Sequence, residues 1–433
     1  MSEWQKVTLE EIASPSRYAM VGGPFGSALG RKDYGEEGVP VVRGAQLGGP
    51  GLFSHDDLVY VSQEKADRHS GNLAFPGDVL VTQRGTVGQV GLIPMDAPFK
   101  RYLLSQSQMK LTVDPARAKA RFVYYWLRSP EAQQAMVGST ISAGVPHINL
   151  ATFKGLKLRL PPTAEQASIV RILGSIDDLI ENNRRRVEVL EEMTRAMYRE
   201  WFVRFRYPGH ESVPLVDSPL GPIPDGWAAS TCGDQLTILG GGTPSKKEDA
   251  YWDGGDVRWF TPSDLTKLGL RYAAKPELRI TLEGLARSSA RLFPEGSVLM
   301  TSRATLGVLA ITTFEATTNQ GFIVIPPDDR WSPGFIYEWL DCHAEDLASV
   351  ATGAIFKEIT KGAFKRVPFV VPAQEVLNAH RKVTEPLEEQ IRLLEEQTRC
   401  LLSLRHLLLP RLVTGQIDVS HLGQDNLAEA AIA

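Results

Sequence analysis

The sequence is poor in cysteine and lacks any long apolar run. The three cysteines, Cys232, Cys342 and Cys400, are isolated and odd in number, so they form neither a disulfide framework nor a zinc-ligand spacing, and we expect buried thiols in a reducing compartment. No run of eighteen apolar residues is present, so the sequence predicts no membrane-spanning helix. The start, MSEWQKVTLEEI, is charged where a signal peptide is apolar, so the sequence predicts a cytoplasmic protein.

An excess of positive charge is also missing. The net charge is −4, whereas proteins that bind nucleic acid through charge alone are basic. Residues 1–160 contain 18 basic and 14 acidic side chains, but residues 209–372 contain 15 and 20. If both regions bind a polyanion, only local basic patches can bind it in the second region, because that region is acidic overall. The length of 433 residues, with 43% apolar and 23% charged residues, indicates a globular protein of two or three domains.

Motifs of common enzymes are absent as well. The two Pro-Pro pairs follow Leu160 and Ile325, so the Asn/Asp-Pro-Pro-aromatic motif of amino-methylating enzymes is missing. None of the 16 lysines follows an acidic residue by two positions, as a common metal-dependent nuclease core requires. GGGTPSKK at 240–247 lacks the Gly-Lys-Ser/Thr register of a phosphate loop and indicates a glycine turn, and His147 and His343 stand alone. The sequence predicts a non-catalytic chain without a metal site.

What the sequence does contain is a long internal repeat. FPGDVLVTQRGTVG at 75–88 returns as FPEGSVLMTSRATLG at 293–307, which places Arg84 on Arg303 at an offset of 219 residues. Further matches keep the same order: Trp4 with Trp227, VVRGAQL (41–47) with WFTPSDL (259–265), SQMKLTV (107–113) with NQGFIVI (319–325), FKGLKLRLP (153–161) with FKRVPFVVP (364–372), and LEEMTR (190–195) with LEEQTR (394–399). The offset falls overall from 223 to 204, which indicates a duplication with deletions.

The first part of each copy has the pattern of a mixed fold. Short β-rich runs bounded by glycine or proline, such as DVLVTQ, VGLIP, MKLTV and LKLRLP, predict strands. Residues 120–137 and 332–350 have helical spacing. Each mixed part ends in an apolar strand and a proline, after which the pattern becomes that of a long helix.

Two long helical segments carry apolar stripes with steps of four and three, the spacing of a coiled-coil seam. The predicted packing positions are Ile176, Ile180, Asn183, Val187, Leu190, Thr194, Met197 and Trp201 in the first segment, and Leu387, Ile391, Leu394, Thr398, Leu401 and Leu408 in the second. A helix of about 30 residues spans roughly 45 Å, so each stripe needs a partner, and the two segments are the natural pair. Asn183 would fix the register, and Pro386 would start or kink the second helix. The alternative is that both stripes belong to ordinary domain cores.

These patterns together predict α/β (α+β) domains in two tandem copies, separated by an antiparallel, coiled-coil-like pair of long helices with pseudo-two-fold symmetry. The predicted boundaries are 1–160 for the first domain, 161–208 for the first spacer helix, 209–372 for the second domain, 373–420 for the second spacer helix and 421–433 for a C-terminal tail.

Three further elements carry a family resemblance: the doubled GDVLVTQRGTVG and GSVLMTSRATLG, the strand leading into LPPTAEQASIV with its helix, and the terminal LLLPRLVTGQIDV. With these elements in this order, the chain resembles the specificity subunit of type I restriction-modification systems. The resemblance extends from residue 1 to about residue 420. The second copy departs from the pattern in two ways, because VPAQEVLNAH lacks the Glu-Gln of PPTAEQ and because its mixed domain is acidic.

The resemblance implies that each mixed domain is a target-recognition domain for one half of a split double-stranded DNA sequence. It implies that the paired helices set the gap between the halves and dock two modification (methyltransferase) subunits, with a restriction (motor/endonuclease) subunit completing the complex. It also implies that S-adenosylmethionine, ATP and Mg are bound by the partner subunits and that this chain itself is not catalytic.

Within that resemblance, the doubled turn supplies candidates for DNA contact, because arginine pairs with guanine and glutamine with adenine. The candidates there are Thr82, Gln83, Arg84 and Thr86, and their matches Thr301, Ser302, Arg303 and Thr305. Aligned loops add Arg43, Gln46, Ser263 and Asp264, and phosphate contacts are expected from Lys100, Arg101, Lys246 and Lys247. Alternatively, the arginines bond carbonyls within their own turns and the lysines are solvated surface charges.

Two other functions stay open at this point. The first is a protein-interaction scaffold with two binding domains on a helical spacer and no nucleic acid, which the overall acidity favours. The second is an autonomous methylating enzyme, which the missing motif disfavours. Salt-dependent binding to duplex DNA would separate DNA recognition from the scaffold.

Overall fold

The computed structural model describes residues 4–49, 51–138, 146–267, 269–303, 305–353 and 357–420, so the predicted C-terminal tail lies outside the described residues. The chain divides into two compact units. Unit 1 contains the residues up to Glu181 and those from Arg399 onward, and unit 2 contains Asn182–Thr398. The domain boundaries inferred from the sequence stay predictions.

Unit 1 is built on two four-stranded sheets and a terminal strand pair. Its strands are β1 Gln5–Thr8, β2 Met20–Gly22, β3 Val39–Val42, β4 Val59–Val61, β5 Leu73–Ala74, β6 Val79–Thr82, β7 Val90–Leu92, β8 Tyr102–Leu104, β9 Gln108–Leu111 and β10 Lys157–Leu160. One sheet has the order β2-β9-β6-β7 with antiparallel neighbours, and the other has the order β4-β3-β8-β5 with β3 and β8 parallel. Strands β1 and β10 pair antiparallel.

Unit 2 repeats this topology. Its strands are β11 Leu215–Val216, β12 Ile223–Pro224, β13 Ala228–Thr231, β14 Leu239–Gly240, β15 Val257–Phe260, β16 Leu278–Ile280, β17 Val298–Thr301, β18 Leu309–Ile311, β19 Thr317–Thr318, β20 Phe322–Ile325 and β21 Pro368–Val371. The orders are β14-β20-β17-β18 and β16-β15-β19, the latter again with one parallel pair, β15 and β19. Strands β13 and β21 pair as β1 and β10 do. The predicted pair of tandem α/β (α+β) copies is therefore confirmed.

Helices cover the sheets and join the copies. They are α1 Gln63–Arg68, α2 Ala120–Leu127, α3 Pro130–Gly138, α4 Leu150–Lys154, α5 Thr163–Tyr198, α6 Cys232–Gln235, α7 Pro262–Thr266, α8 Leu282–Ala286, α9 Pro333–Cys342, α10 Ala344–Ser349, α11 Lys361–Lys365 and α12 Gln374–Val413. A π-helix, Arg199–Val203, follows α5, and short 3-10 turns occupy Gly26–Ala28, Arg31–Asp33, Gly44–Gln46, Ser70–Asn72, His210–Ser212 and Asp249–Tyr251. The predicted helix at 120–137 is two helices, because Pro130 begins the second.

Apolar side chains on both faces of the central strands explain why those strands read as nearly continuous hydrophobic runs. Every residue of β6 and of β17 is buried. In unit 1, α2 contributes Phe122 and Trp126 to the core, and in unit 2 α9 contributes Phe335 and Trp339. In each unit, the sheet that contains β6 or β17 therefore packs against an aromatic helix that follows it in the sequence.

The two long helices have 36 and 40 residues, longer than the predicted 30. Within unit 2 they run antiparallel, because Asn183 donates to Gln397 at 2.9 Å, while the Trp201 and His380 rings lie 5.4 Å apart further along the pair. The helix α12 begins at Gln374 and continues through Pro386, so the alternative that this proline starts the helix is wrong, and the alternative that it kinks the helix stays a prediction.

The predicted packing positions of the long helices face inward to different degrees. Asn183 is 3% exposed and its amide is hydrogen-bonded, as a register-fixing polar position in a seam requires. The apolar members that are buried are Ile176, Ile180, Ile391 and Leu394, and those that are half-buried are Val187, Leu190, Met197, Trp201, Leu387, Leu401 and Leu408.

A buried polar network ties one loop of unit 2 to its helices. The Arg271 guanidinium, 1% exposed, donates to Glu338 of α9 at 2.7 Å and also to Glu388 of α12. The backbone N–H groups of Arg271 and Tyr272 donate to the two carboxylate oxygens of Glu395 at 2.8 and 2.9 Å. Because each of these carboxylates has a charged or N–H partner, their burial is compensated.

The thiol of Cys232 is buried and that of Cys342 is half-buried, but Cys400 is exposed on α12, so the expectation of buried thiols is wrong for Cys400. None of the helices within the described residues combines the length and the hydropathy needed to cross a membrane.

Candidate nucleic-acid interface

In unit 1 a buried strand ends in an exposed turn that bears an arginine. Strand β6 continues into residues 83–89, and the N–H of Thr82 donates to the carbonyl of Gln89 at 2.9 Å, which closes the turn. Gly85 and Gly88 have φ angles of 88° and 91°, a left-handed conformation that favours glycine. Arg84 is exposed at this turn.

Unit 2 forms the same turn at the end of β17. The N–H of Thr301 donates to the carbonyl of Val308 at 2.9 Å, and Gly307 has a φ of 79°. Arg303 is exposed here, and its Nη2 lies 2.7 Å from Oε1 of Glu358. The match between Arg84 and Arg303 in the sequence is therefore also a match of position in the fold.

Several predicted contact residues in these turns point into the domain instead. Thr82, Thr301 and Ser302 are 2%, 0% and 3% exposed. The hydroxyl of Thr82 donates to the Gln89 amide oxygen at 3.2 Å, and that of Thr301 donates to a carbonyl within its own turn. These hydroxyls stabilise the turns, and in this conformation they do not reach a base. The members of the predicted set that face solvent are Arg84, Thr86, Arg303 and Thr305.

The amide of Gln83 is already occupied. This side chain is half-buried, and its Nε2 donates to the carbonyl of Gln106 at 2.9 Å. A bidentate contact with adenine needs both the amide N–H and the amide oxygen, so Gln83 would have to release this bond before it could pair with a base.

The aligned loop candidates serve mainly as local supports. Gln46 is 1% exposed and donates to a loop carbonyl at 2.9 Å, and Arg43 is half-buried and donates to the carbonyl of Asp57. Asp264 accepts the backbone N–H of Thr261, the residue that caps the N-terminus of α7, at 2.7 Å, as the third residue of a capping box does. Ser263, by contrast, is exposed. Its hydroxyl lies 2.8 Å from the Thr261 hydroxyl, so a ligand would compete with that hydrogen bond.

The candidate phosphate contacts differ in the same way. Lys100, Lys246 and Lys247 are exposed. Arg101 is half-buried, and its Nη1 lies 2.6 Å from Oδ1 of Asp67. A solvated lysine can meet a phosphate without giving up another partner, whereas Arg101 would first have to leave Asp67.

Beside the Arg84 turn lies a cavity of about 440 Å³ that the sequence interpretation missed. The cavity is lined by Gln83 and Arg84 and also by residues from four other segments, among them Phe25, Asn72, Gln106, His147 and Leu150. Phe25 is 84% exposed at its rim. The sequence GGP at 22–24 indicates a close approach of the backbone at this cavity, because a Cβ on Gly23 would lie 1.9 Å from the Ser105 carbonyl oxygen. That glycine lets the chain cross the sheet end closely and leaves the next apolar side chain outside.

Within the described part of the chain, no group of three or more histidine, cysteine or carboxylate side chains is placed to hold a metal ion. The site of unit 1 combines an exposed arginine with hydrogen-bonding and apolar groups, and the site of unit 2 combines its arginine with the carboxylate of Glu358. Such a surface can bind a polar, negatively charged partner.

Comparisons with known proteins agree with this arrangement. The family profile described as type I restriction modification DNA specificity domain matches residues 1–192 and 224–399. The MjaIX specificity subunit of Methanocaldococcus jannaschii is 34% identical over 177 residues, 40% of this chain and 40% of that subunit. The HindI specificity subunit of Haemophilus influenzae is 23% identical over 403 residues, 79% of this chain and 86% of that subunit.

One solved structure supports the fold. The S subunit of a type I restriction-modification system from M. genitalium superposes with a TM-score of 0.58 at 16% identity, covering 95% of this chain and 96% of that one. At this identity the similarity concerns the arrangement of the backbone.

Proposed function

Because the chain belongs to the family of type I restriction-modification DNA specificity domains, we propose that it recognises a split DNA target, one half with each unit. The observation that carries the proposal is the duplication: the sheet that ends in the arginine turn has the same strand order in both units, and each unit presents an exposed arginine at that turn. An arginine at a base edge selects guanine. Different side chains around the arginine in the two units would allow the two half-sites to differ in sequence.

The long helices are the proposed spacer. With 36 and 40 residues, α5 and α12 correspond to roughly 54 and 60 Å at about 1.5 Å per residue. One turn of duplex is about 34 Å, so a helix pair of this length is sufficient for two half-sites on one face of the DNA. The proposal includes an approximate two-fold relation between the recognition domains and a fixed distance between the half-sites.

A specificity subunit of a type I system assembles with other subunits of that system and with DNA. We propose two modification subunits and a restriction subunit, which would bind S-adenosylmethionine, ATP and Mg and perform the methylation and cleavage. The residues of this chain then bind and position the DNA and carry out no chemical step. The proposed complex works in the cytoplasm.

The acidity of the second domain supports one alternative, a scaffold that binds proteins through both units. Lys246 and Lys247 nevertheless offer that domain an exposed basic patch, and partner subunits would add to it. DNA binding through phosphates releases counterions, so its affinity falls steeply with salt, which binding to a neutral protein surface would not do.

The test uses the chain assembled with its modification subunits. We expect steeply salt-dependent binding to duplex DNA and methylation at one split sequence with a constant gap, mapped in host DNA. Methylation without any sequence preference, or the same host pattern when the chain is omitted, would disprove the proposal.

A further inference from the structure

The strand registers allow the two recognition sites to be compared position by position. Strand β2 ends at Gly22, which faces Met109, and β14 ends at Gly240, which faces Ile323. On its other side, Met109 faces Val81 of β6, and Ile323 faces Met300 of β17. Val81 and Met300 each lie three positions before the matched arginine. The two ladders therefore match Met109 with Ile323, so the sequence alignment of 107–113 with 319–325 is wrong by two positions, and Gly22 corresponds to Gly240.

The glycines that follow confirm this correspondence. A Cβ on Gly23 would lie 1.9 Å from the Ser105 carbonyl oxygen, and a Cβ on Gly241 would lie 2.1 Å from that of Asn319. The chain thus crosses the same sheet end in both units with the same close approach. Two residues further on, Phe25 corresponds to Thr243.

A second segment aligns independently. Arg84 forms an isolated antiparallel bridge with His147, and Arg303 forms the same bridge with Glu358. Ile148, which follows His147, donates its N–H to the carbonyl of Gln83 at 2.9 Å. Ile359, which follows Glu358, donates its N–H to the carbonyl of Ser302 at 3.0 Å. Hence His147 corresponds to Glu358, and three residues later Leu150 corresponds to Lys361.

In unit 1 these positions surround the arginine with apolar and aromatic groups. Phe25, 84% exposed, and the half-buried Leu150 line the cavity next to Arg84. Within the described residues, no carboxylate forms an ion pair with Arg84, so its guanidinium is available to a ligand. Such an arrangement offers a cationic hydrogen-bonding fork beside an apolar surface.

In unit 2 the same positions are polar. Thr243 donates its hydroxyl to the Gln320 amide oxygen at 2.6 Å, and Glu358 holds the Arg303 guanidinium at 2.7 Å. Lys361 occupies the space above the strand end, since a Cβ on Gly240 would lie 2.7 Å from its Nζ. The backbone is shared and the arginine is shared, but the three side chains around it have changed chemical class.

We infer that these three positions determine which bases each unit accepts: Phe25, His147 and Leu150 in unit 1, and Thr243, Glu358 and Lys361 in unit 2. Phe25 contacts the 5-methyl group of a thymine adjacent to the guanine that Arg84 binds. Glu358 is a positioning residue that orients the fork of Arg303 toward one guanine. The inference rests on the proposed function, since it assigns base contacts within the proposed DNA site.

The first test concerns Glu358. We would compare complexes containing wild-type chain, Glu358→Gln and the control Glu345→Gln on duplexes in which each base pair of the mapped target is replaced in turn. Both variants remove one negative charge from unit 2, half-buried at Glu358 and exposed at Glu345, so both make the unit less acidic by the same amount. For Glu358→Gln we expect discrimination at one G·C pair of the second half to fall by about 5- to 150-fold, with the first half unchanged. Behaviour identical to Glu345→Gln, or equal loss in both halves, would refute the positioning role.

The second test concerns Phe25. Replacing thymine by deoxyuridine removes only the methyl group, and at one position of the first half we expect wild-type affinity to fall by about 4-fold, the value of one buried methyl. Phe25→Thr should abolish that difference. Met95→Thr, which removes an apolar side chain of unit 1 that is 80% exposed, should keep it. The thymine contact is refuted if wild-type complex binds both bases equally at every position of the first half.

The controls distinguish failure of the proposed DNA recognition from failure of the assignment of these residues. If the wild-type complex shows no sequence preference, the proposed function fails, and this inference fails with it. If the wild-type complex is specific but the variants at these positions behave like their controls, DNA recognition stands and only the assignment of these residues is wrong.

Discussion

Replacement of Arg271 by methionine should destabilise unit 2 far more than loss of any surface ion pair. The guanidinium is 1% exposed and pairs with Glu338 and Glu388, whose side chains are 3% and 12% exposed. Methionine is apolar and of similar length, so the substitution removes the charge while filling much of the space. The two carboxylates would then be buried without their cationic partner.

The expected magnitude follows from that burial. Removing one partner of a buried ion pair typically costs about 3–5 kcal/mol, and here Thr194 and Tyr272 would still donate to the orphaned carboxylates at 2.8 and 3.0 Å. We therefore expect a loss of about 3 kcal/mol. The control is Arg392→Met on α12, whose guanidinium is 32% exposed against Glu389 at 53%, and surface pairs are worth about 0–1 kcal/mol.

Urea unfolding followed by tryptophan fluorescence suits the measurement, because six of the eight tryptophans lie in unit 2 and two in unit 1. Both variants should keep the wild-type dependence on urea concentration, which reports the surface exposed on unfolding. A loss for Arg271→Met no larger than that for Arg392→Met would refute the claim that the network stabilises unit 2.

The same variant should have a characteristic pH dependence. Burial raises the pKa of the Glu388 carboxyl above its ordinary value, and the charge of Arg271 opposes that shift. Without Arg271 the pKa of Glu388 should rise further, so the folded variant binds a proton more readily than the unfolded chain does. The loss of stability should therefore be greatest at neutral and higher pH and should shrink as the pH falls toward the ordinary carboxyl range. A deficit that grows on acidification would contradict this assignment.

Three further predictions concern the recognition turns, the spacer and a buried histidine. Arg84→Ala and Arg303→Ala should each weaken base discrimination by about 1–3 kcal/mol in one half-site only, mapped by methylation of variant targets; equal loss in both halves together with unfolding would favour a purely structural role. Insertion of one seven-residue heptad into each long helix should lengthen the tolerated gap by roughly 10 Å, or about three base pairs, while both half-sites stay the same, and an unchanged gap would contradict the spacer. Burial lowers the pKa of His380 to about 4, so the wild-type chain should lose stability as the pH falls from about 6.5 to about 4, and His380→Phe should lose up to about 3 kcal/mol less over that range in urea unfolding.

The duplication and the main elements could be predicted because they depend on local patterns. Strands β6, β9 and β10 fall where short β-rich runs end at glycine or proline, and the stripe around Asn183 and Ile391 marks the long helices. Pro386 misled the interpretation because a proline weakens a helix locally, whereas tertiary packing on the rest of a 40-residue helix stabilises it.

The recognition surface was only partly predictable. Arg84 and Arg303 could be found because the repeat marks them and because the turn exposes both. The burial of Thr82 and Ser302 could not, since whether a turn residue faces solvent depends on which distant segment covers it. Phe25 was missed for the same reason, as a single phenylalanine after Gly-Gly-Pro is in most proteins a core residue.

By itself the sequence determined that the protein is a doubled one: two mixed domains of one topology, each followed by a long helix, because strand and helix periodicities and their repetition are properties of neighbouring residues. The tertiary structure decided which side chains share a site. His147 and Glu358 lie 63 and 55 positions after the arginines with which they form β-bridges, and no local sequence pattern predicts these pairs. Only the folding of those segments against the sheet ends places one arginine beside apolar groups and the other beside a carboxylate.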